Sequence, residues 1–345
     1  MARNITILGS LNIDLVTRVP HHPLPGETLT ASSFSISPGG KGANQAVACA
    51  KLSRPRPSSS SLPSPGNNEE KTKAEETAHI RMVGSLGPDS YGTTLLQNLS
   101  VHGVDTSGIR VLSGEYKTGI AFIIVDEPTG ENRIILSPEA NWFYSSPTSL
   151  LSSPDTLRGS PVDDSDSGKL PDLLIMQLEI PLATVLAALR AARNDGVKVL
   201  FNPAPAQHLP LDIYRGLEHL VVNETEAAML ASVDVSVLDT EEGCEKVAGE
   251  FVSRGVKNVV ITLGGRGVYY MNDGKKKGLV PAEKAAVVDT TGAGDTFVGR
   301  YALDVVEGDG GFEIEKAVRK ANRAAKMAVE RRGAADSIPW RDELE

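Results

Sequence analysis

The residues best suited to chemistry lie in one short stretch near the carboxyl end, residues 289–297 with the sequence DTTGAGDTF. Gly292, Ala293 and Gly294 are small enough for backbone N–H groups to point into one concavity at a helix start, and such a concavity binds anions. Asp295 stands in the same turn, where phosphate would repel its carboxylate unless it acts as a base on an incoming hydroxyl. The stretch predicts an anion hole beside a general base, although an Asp that caps a glycine-rich turn would give the same pattern.

Polar side chains near the amino terminus form a second candidate group. Asn12 and Asp14 follow a buried strand predicted over residues 5–10, and because alternate residues of an extended chain share one face, both would point the same way. They could bind sugar hydroxyls, or they could close a turn through an Asx side-chain hydrogen bond. A single glycine, Gly9, follows the strand, whereas a nicotinamide dehydrogenase would need G-x-G-x-x-G there. The dehydrogenase class is therefore disfavoured.

A glycine-rich loop over residues 38–46, PGGKGANQA, opens a helix predicted to run to about Lys51. Its glycines allow close approach of the backbone to a ligand, Lys41 brings a cation, and Asn44 can donate and accept hydrogen bonds. The pattern differs from a Walker A loop, which needs G-x-x-x-x-G-K followed by Ser or Thr. A small polar ligand is the favoured occupant, and a flexible loop with helix caps is the alternative.

Two further polar groups follow predicted strands. Glu179 ends a buried strand over residues 173–178, at the edge where open α/β sheets bind ligands, although it could instead cap the next helix. Asn223 and Glu226 follow a strand over residues 219–222. Their spacing fits a capping box, and it fits equally well a pair that orders the waters around Mg²⁺ on a triphosphate.

A glycine turn between two predicted strands is a candidate phosphate contact. The turn LGGRG, residues 263–267, follows a strand that ends at Thr262 and precedes a strand that begins at Val268. Small residues let the backbone approach phosphate there, and Thr262 and Arg266 add candidate side-chain contacts.

The elements that must position these groups alternate between apolar strands and helices. Val287 and Val288 are predicted to end a strand before the anion-hole turn, and a helix is predicted from Thr296 to about Glu307. Residues 118–125 and 133–136 predict a hairpin. Two low-complexity stretches rich in Ser, Pro and charged residues, about 53–77 and 145–169, cannot bury a core and are predicted to be insertions in a single domain spanning 1–345.

Composition bounds the class of protein. The chain has 345 residues, 33 of them Gly, and 40% hydrophobic content, which suits an α/β enzyme with a sizeable core. A net charge of −9 argues against nucleic acid as the main partner. Cys49 and Cys244 lie in apolar helical stretches and are expected in the core. The amino terminus shows no signal-peptide pattern, and no apolar run approaches ~20 residues, so we expect a soluble, intracellular protein without a membrane partner.

Four motifs in order resemble those of the ribokinase-like (PfkB-type) carbohydrate kinases. The loop over residues 39–44 looks like the family's amino-terminal signature, residues 289–295 look like its carboxyl-terminal signature, and residues 223–226 are similar to its N-x-x-E metal motif. The combination of GGKGANQ, MQLE, NPAPA and NETE most resembles the ribose-phosphorylating members. The resemblance covers nearly the whole chain apart from the two insertions.

The resemblance implies ATP-dependent phosphorylation of D-ribose at its 5-hydroxyl, with a role for each matching position. Asp295 would be the general base, and the backbone of Gly292, Ala293 and Gly294 the anion hole. Residues assigned to the sugar by the resemblance are Asn12, Ile13, Asp14, Gly40, Lys41, Gly42, Ala43, Asn44, Glu179 and Asp295. Residues assigned to ATP are Asn223, Thr262, Leu263, Gly264, Gly265, Arg266, Gly267, Gly294 and Asn322, with Glu226 serving Mg²⁺ through water. Positions matching the family's potassium site are Asp289, Thr291, Ala328, Arg331, Gly333 and Ser337.

The same resemblance implies a fold and an assembly. The fold would be a three-layer α/β/α domain with a central, mainly parallel sheet and a small β-sheet lid, built from residues of about 14–37 and 118–136. Closure of the lid would exclude water from the reaction. Two lids would pair into a homodimer, and the location would be cytoplasmic, with the nucleus as an additional compartment.

Two alternatives remain open at this point. A kinase for another pentose or for a nucleoside would share the fold, but a nucleoside would favour aromatic or apolar residues that stack on its base. A non-catalytic sugar or nucleotide sensor would share the scaffold, but it predicts a damaged base or anion hole, and Asp295, Gly292 and Gly294 are intact.

Overall fold

The computed structural model describes residues 3–57, 76–145, 170–274, 276–307 and 311–344. Most of each predicted insertion, about 53–77 and 145–169, therefore lies outside the described residues. Within the described ranges, no helix is long and apolar enough to cross a membrane.

A nine-stranded sheet forms the centre of the molecule, in the order β13-β12-β11-β10-β9-β8-β1-β4-β5. Its strands, numbered along the chain together with those of a second sheet, are β1 Arg3–Leu8, β4 Ala78–Leu86, β5 Asp105–Val111, β8 Leu173–Met176, β9 Lys198–Phe201, β10 His219–Asn223, β11 Asn258–Thr262, β12 Val268–Asn272 and β13 Lys276–Val280. The pairs β11–β12 and β12–β13 are antiparallel, and the other neighbours are parallel. The carboxyl ends of the parallel strands consequently meet at one edge of the sheet.

Helices cover both faces of this sheet. They are α1 Lys41–Leu52, α2 Ser90–Val101, α3 Leu182–Asn194, α4 Glu224–Ala231, α5 Glu241–Ser253, α6 Ala293–Glu307, α7 Ile314–Val329 and α8 Arg341–Leu344. Successive residues of a strand point to opposite faces, and in β8 Leu174 packs into one buried cluster while Ile175 packs into another. The first cluster includes residues of α3, α4 and α5, and the second includes residues of α1, α2, α6 and α7. The three layers agree with the predicted α/β/α fold.

A four-stranded sheet is formed by β2 Asn12–Val19, β3 Ser33–Gly39, β6 Gly119–Asp126 and β7 Asn132–Ser137, in the order β3-β2-β6-β7. Its central pair, β2–β6, is parallel, and the outer pairs are antiparallel. Three residues separate β2 from the end of β1. The amino end of β2 therefore lies beside the ligand-binding edge of the main sheet.

Two predictions about the anion-hole segment need correction. Val287 and Val288 do not end a strand; both are more than half exposed, and Val288 N donates to the Val329 carbonyl. Apolar β-branched residues favour strands, but the strand β13 at the edge of the sheet ends earlier, at Val280. The following helix begins at Ala293 rather than Thr296, so Asp295 lies inside its first turn and is not a cap.

The two cysteines are placed as predicted. Cys49 lies in α1 and Cys244 in α5, and both side chains are buried as free thiols. Burial raises the pKa of the Cys49 thiol to about 12, which keeps it protonated and unreactive.

Candidate active site

Asp295 lies at the centre of a polar cluster at the carboxyl edge of the main sheet. Its carboxylate is buried, with 8% of the residue exposed, and each oxygen accepts one amide hydrogen bond. Gln45 Nε2 donates to Oδ1 at 3.0 Å, and Asn44 Nδ2 donates to Oδ2 at 3.2 Å. Burial raises the pKa of Asp295, while nearby Lys41 and these hydrogen bonds oppose the rise. The result is a carboxylate of increased basicity in a site that largely excludes water.

The helix α6 presents its first turn at the same place. One predicted anion-hole donor is already engaged, because Ala293 N donates to the Thr290 carbonyl at 3.3 Å. In the part of the chain that the structure describes, the N–H groups of Gly294 and of the next residue, Asp295, form no hydrogen bond, as expected for a helix start. A Cβ atom added at Gly294 would meet no atom within 4 Å, so there is open space beside this turn. Free donors, open space and the positive end of the helix dipole together suit an anion.

Glu179 is held by one of its two carboxylate oxygens. Its Oε2 accepts hydrogen bonds from Ser10 Oγ at 2.6 Å, from Lys41 N at 3.0 Å and from Asn12 Nδ2 at 3.3 Å. These three donors come from the end of β1, the start of β2 and the start of α1. Within the described ranges Oε1 accepts no hydrogen bond, so it is available to a ligand hydroxyl.

Asn12 and Asp14 occupy the same face of β2, as the sequence predicts. The Asn141 side chain fixes Asn12, because Asn141 Nδ2 donates to Asn12 Oδ1 at 2.7 Å while Asn141 also bonds both backbone groups of Leu11. Asp14 lies against Gly39, where an added Cβ would come within 2.2 Å of the carboxylate. Burial first, and then Glu179 and Asp295, raise the pKa of Asp14 to about 7, although Lys41 opposes the rise.

Lys41 is the cation within this group of carboxylates. Burial alone would lower its pKa, but Asp295, Glu179, Glu226 and Asp14 reverse that effect and raise it overall. The ammonium group therefore stays charged at neutral pH. Its electrostatic coupling to all four carboxylates places Glu226 near the sugar-binding candidates.

Two glycines of the same loop allow the close approach of three segments. Gly40 has a φ of +88°, and a Cβ there would lie 2.7 Å from Asn12 N. A Cβ on Gly42 would lie 2.6 Å from Ser10 N. The side chains of Ile13 and Ala43 are buried in the core, so any contact of these two residues with a sugar would involve their backbone.

Asn223 and Glu226 form the capping box at the start of α4. Asn223 Oδ1 accepts from Glu226 N at 2.8 Å, and Asn223 N donates to Glu226 Oε2 at 2.9 Å. Burial raises the pKa of Glu226, an effect that the Asn223 N–H and Lys41 reduce. A structural role is thus present, and among the described residues Glu226 Oε1 accepts no hydrogen bond.

The predicted nucleotide turn is a 3₁₀ turn over Gly264–Arg266. The guanidinium of Arg266 pairs with the Glu224 carboxylate and donates to the Leu238 carbonyl at 2.7 Å. Its positive charge is therefore already paired with a carboxylate of the same protein. A Cβ on Gly267 would lie 2.1 Å from Val280 O. Asn322 Nδ2 donates to the carbonyl of Pro281 at 2.9 Å, and Pro281 follows Val280, which lies against Gly267 of the turn.

Three nearby residues complete this region. Thr262 ends β11, and its Oγ1 donates to Val222 O at 3.4 Å. Leu263 is buried, and its N–H donates to Gly267 O at 2.8 Å, which closes the turn. Gly265 has open space where a Cβ would lie. A nucleotide at this turn would therefore meet backbone groups, and not the positive charge of Arg266, which is paired with Glu224.

The potassium candidates come from two segments, residues 289–291 and 328–337, which are joined by a hydrogen bond from Gly333 N to Asp289. Asp289 Oδ1 accepts from Thr291 N and Oγ1, and Oδ2 accepts from Gly333 N at 3.0 Å. The Arg331 side chain pairs with Glu343, so that residue can offer only its backbone to an ion. The two remaining candidates make local hydrogen bonds. The Ala328 carbonyl accepts from Arg331 N, and Ser337 Oγ donates to Ala334 O. A Cβ on Gly292 would lie 3.0 Å from Ala334 Cα, so the second segment is in contact with the anion-hole turn.

Five polar residues of the cluster carry no assigned role in the sequence-based prediction. They are Ser10, Gln45, Asn141, Gln177 and Asn202. Gln45, Gln177 and Asn202 stand inside the quoted motifs GGKGANQ, MQLE and NPAPA, which is the signal that could have identified them, whereas Ser10 and Asn141 lie outside the quoted motifs. Their function depends on contacts between distant segments, and no spacing in the sequence reveals those contacts.

Comparison with known proteins identifies the family. The family model for the pfkB family carbohydrate kinase matches residues 2–341. The chain belongs to this family. Among pfkB relatives, the ribokinase of Schizosaccharomyces pombe is 39% identical over 339 residues, covering 97% of this chain and 95% of that protein.

Solved structures agree with that assignment and confirm the predicted fold. The crystal structure of a ribokinase from Thermotoga maritima is 36% identical, with a TM-score of 0.76 and coverage of 99% of this chain and 97% of that one. The structure of an Arabidopsis thaliana ribokinase complexed with ribose and ATP has a TM-score of 0.80 at 28% identity, with coverage of 100% and 98%.

Proposed function

We propose that this pfkB-family kinase transfers the γ-phosphoryl group of ATP to the 5-hydroxyl of D-ribose, giving D-ribose 5-phosphate and ADP. The observation that carries the proposal is the Asp295 carboxylate, buried in the first turn of α6 and held by two amides. It lies in one cluster with Asn12, Asp14 and Glu179. Ribokinases at up to 39% identity over nearly the whole chain support ribose as the acceptor.

The sugar would bind where the two sheets meet. Glu179 Oε1 can accept from one hydroxyl, and Asp14 from another, because each carboxylate already lies in a fixed position. Lys41 and Asn44 can donate to sugar oxygens. This polar lining favours a free sugar over a nucleoside, whose base would need apolar or aromatic neighbours.

Chemistry would follow from the position of Asp295 beside the helix start. Its carboxylate takes the proton of the 5-hydroxyl as that oxygen attacks the γ-phosphorus, and the bond from phosphorus to the leaving ADP oxygen breaks. The N–H groups at Gly294 and Asp295 stabilise the negative charge on the transferring group. A buried site prevents water from competing as the acceptor.

Asn223 and Glu226 would serve Mg²⁺ through its water shell. Among the residues that the structure describes, no group of three or more His, Cys, Asp or Glu residues could hold a metal ion, which suits an ion that keeps several waters of its own. Mg²⁺ neutralises phosphate charge when it is bound with ATP. Within the described part of the chain, Oε1 of Glu226 accepts no hydrogen bond and could hold such a water.

A monovalent cation, potassium, fits the turn at Asp289. Burial raises the pKa of this carboxyl, but hydrogen bonds from Thr291 and Gly333 lower it overall, so it stays anionic. The neighbouring candidates offer carbonyl and hydroxyl oxygens, the ligands that hard cations prefer. A bound cation would fix the turn that packs against Gly292 and would take no part in the transfer itself.

The four-stranded sheet would act as a lid and as a dimer interface. One face carries Asn12 and Asp14, whereas the opposite face exposes a row of apolar side chains. This row consists of Phe34, Ile36, Phe122 and Ile135, each at least 44% exposed. Such a patch suits an interface with a second copy. A cytoplasmic location, with the nucleus as an additional compartment, also stays a prediction.

The test is a coupled ADP-release assay with ribose, deoxyribose, fructose and adenosine as acceptors, in the presence of Mg²⁺ and with or without K⁺. We expect ribose-dependent release that K⁺ stimulates. Release with adenosine or fructose alone would retain the base but reject the sugar assignment. ATP binding without release for any acceptor would favour the sensor.

A further inference from the structure

A chain of buried amides leads from Asp295 through Gln45 to Gln177 and Asn202. Gln45, with 0% of its surface exposed, donates from Nε2 to Asp295 Oδ1 and to Asn202 Oδ1, both at 3.0 Å. Its Oε1 accepts from Gln177 Nε2 at 2.5 Å. Every hydrogen-bonding atom of the Gln45 side chain is therefore used.

The direction of this chain is fixed at its far end. Asn202 Nδ2 donates to the backbone carbonyl of Val221 at 2.9 Å, and a carbonyl can only accept. Asn202 must consequently turn its Oδ1 towards Gln45. Gln45 must then present its N–H₂ group to Asn202 and Asp295, and its carbonyl to Gln177.

We infer that Gln45 is a positioning residue for the reaction: oriented by Asn202 and Gln177, it fixes the Asp295 carboxylate through Oδ1, while Asn44 holds Oδ2. This inference rests on the proposed role of Asp295 as general base. A donor on Oδ1 stabilises the anionic form of the carboxylate. Gln45 thus limits the rise in pKa that burial causes.

Charged groups around Asp295 come from several elements, and the proposed variants leave all of them in place. They are Lys41 at the start of α1, Asp14 in β2, Glu179 after β8 and Glu226 in α4. A change in the pH profile of a Gln45 variant would therefore report the lost amide rather than a lost charge.

The experiment compares Gln45→Met with Gln97→Met, a matched change at an exposed position of α2. Wild-type enzyme and both variants are assayed for ribose-dependent ADP release from pH 5 to 9. Without the amide, the Asp295 pKa rises, so the acidic limb of the kcat/KM profile should move about one unit to higher pH. We expect kcat to fall by up to roughly a hundredfold through misplacement of the base, with KM for ribose little changed. Gln97→Met should match the wild type in all three quantities.

A second variant allows the inference to be tested even if Gln45→Met does not fold. Gln177→Leu leaves Gln45 in place but removes the donor to its Oε1, so we expect a smaller shift in the same direction. Thermal melting checks that each variant is folded.

Two failures can be told apart. A folded Gln45→Met or Gln177→Leu variant with reduced kcat and an unshifted acidic limb would give these amides a packing role only and would overturn the inference. Wild-type protein that releases no ADP with any sugar would instead overturn the proposed function.

Discussion

At the scale of single residues, Asp295 is subject to opposing influences on its pKa. Burial raises the pKa, whereas Lys41 and two amide donors lower it. A general base needs this balance, because it must be unprotonated before the reaction and basic enough to accept a proton during it. The same carboxylate on the surface would be a weaker base.

Replacement of this base tests its role directly. Asp295→Asn keeps the size and polarity of the side chain, so we expect binding of ribose and ATP to persist in isothermal titration. Turnover should fall roughly a thousandfold, because the positioned base is lost. Near-wild-type turnover would remove Asp295 from the mechanism.

Asp14 gives a prediction for stability against pH. Its pKa of about 7 in the folded state exceeds the ordinary value of 3.8, so between these values the folded state holds a proton that the unfolded state has released. The free energy of unfolding should therefore decline as pH rises from about 4 to 7, by about 4 kcal/mol at most. Asp14→Asn should remove this decline.

Thermal melts at pH 5 and pH 8 measure that effect. The melting temperature of Asp14→Asn relative to wild type should be higher at pH 8 than at pH 5, while its KM for ribose rises. Asp212→Asn, at an exposed position, provides the control and should show no such difference. An identical pH dependence of wild type and Asp14→Asn would contradict the prediction.

From the sequence, the roles of site residues were predictable only where the chemically important side chains lie close together in one short stretch. The types and spacing of Asn12, Asp14 and Asp295 suggested sugar and base roles. Gln45 and Gln177 stand in quoted motifs, but the motifs do not show that the two side chains meet, because they are 132 residues apart and their hydrogen bond exists only after the main sheet forms. Nor could the sequence show that Arg266 is already paired with Glu224.

At the scale of elements, the start of α1 depends on the absence of a side chain at Gly40. Gly40→Ala would place a Cβ 2.7 Å from Asn12 N in a conformation that favours glycine, with an expected loss of about 3 kcal/mol in stability. Displacement of Asn12 should also raise KM for ribose. Gly26→Ala is the matched control, since Gly26 has a φ of +78° but no atom within 4 Å of an added Cβ. Equal effects of the two changes in denaturant unfolding and in KM would contradict the steric explanation.

The cap of α4 can be separated from the proposed nucleotide role of the same residue. Asn223→Ala and Thr240→Ala each remove a side chain that caps a helix, so each should cost about 1 kcal/mol in unfolding free energy. Only Asn223→Ala should also raise KM for ATP, by about tenfold, which corresponds to about 1.4 kcal/mol. An unchanged KM for ATP would leave Asn223 with the capping role alone.

Elements with strong periodicity were predictable, and the segment before the anion hole was not. The helix predicted to end at about Lys51 ends at Leu52, and the helix predicted to end at about Glu307 ends at that residue. Val287 and Val288 looked like a strand because β-branched residues favour that conformation. The backbone of Val288 instead donates to Val329 O at the end of α7, a contact between segments that local propensity does not encode.

At the scale of the whole molecule, the exposed row on the four-stranded sheet predicts a dimer. Phe122→Asp places a charge in the centre of this row, and we expect sedimentation to change from a dimer to a monomer of 36.6 kDa. Leu211→Asp alters a residue that is also exposed, but it lies outside this sheet and should leave the dimer intact. A wild-type protein that sediments as a monomer would refute the proposed assembly.

The four-stranded sheet is made of two separate excursions of the chain, residues 12–39 and 119–137, joined by the parallel pairing of β2 with β6. Neither excursion forms the sheet alone: the first carries Asn12 and Asp14, and the second supplies the strand against which they are aligned. An engineer who wished to exchange sugar preference between two members of the family would therefore have to graft both segments together. A chimaera that received only one segment would pair strands that had not been selected for each other, beside the proposed sugar site.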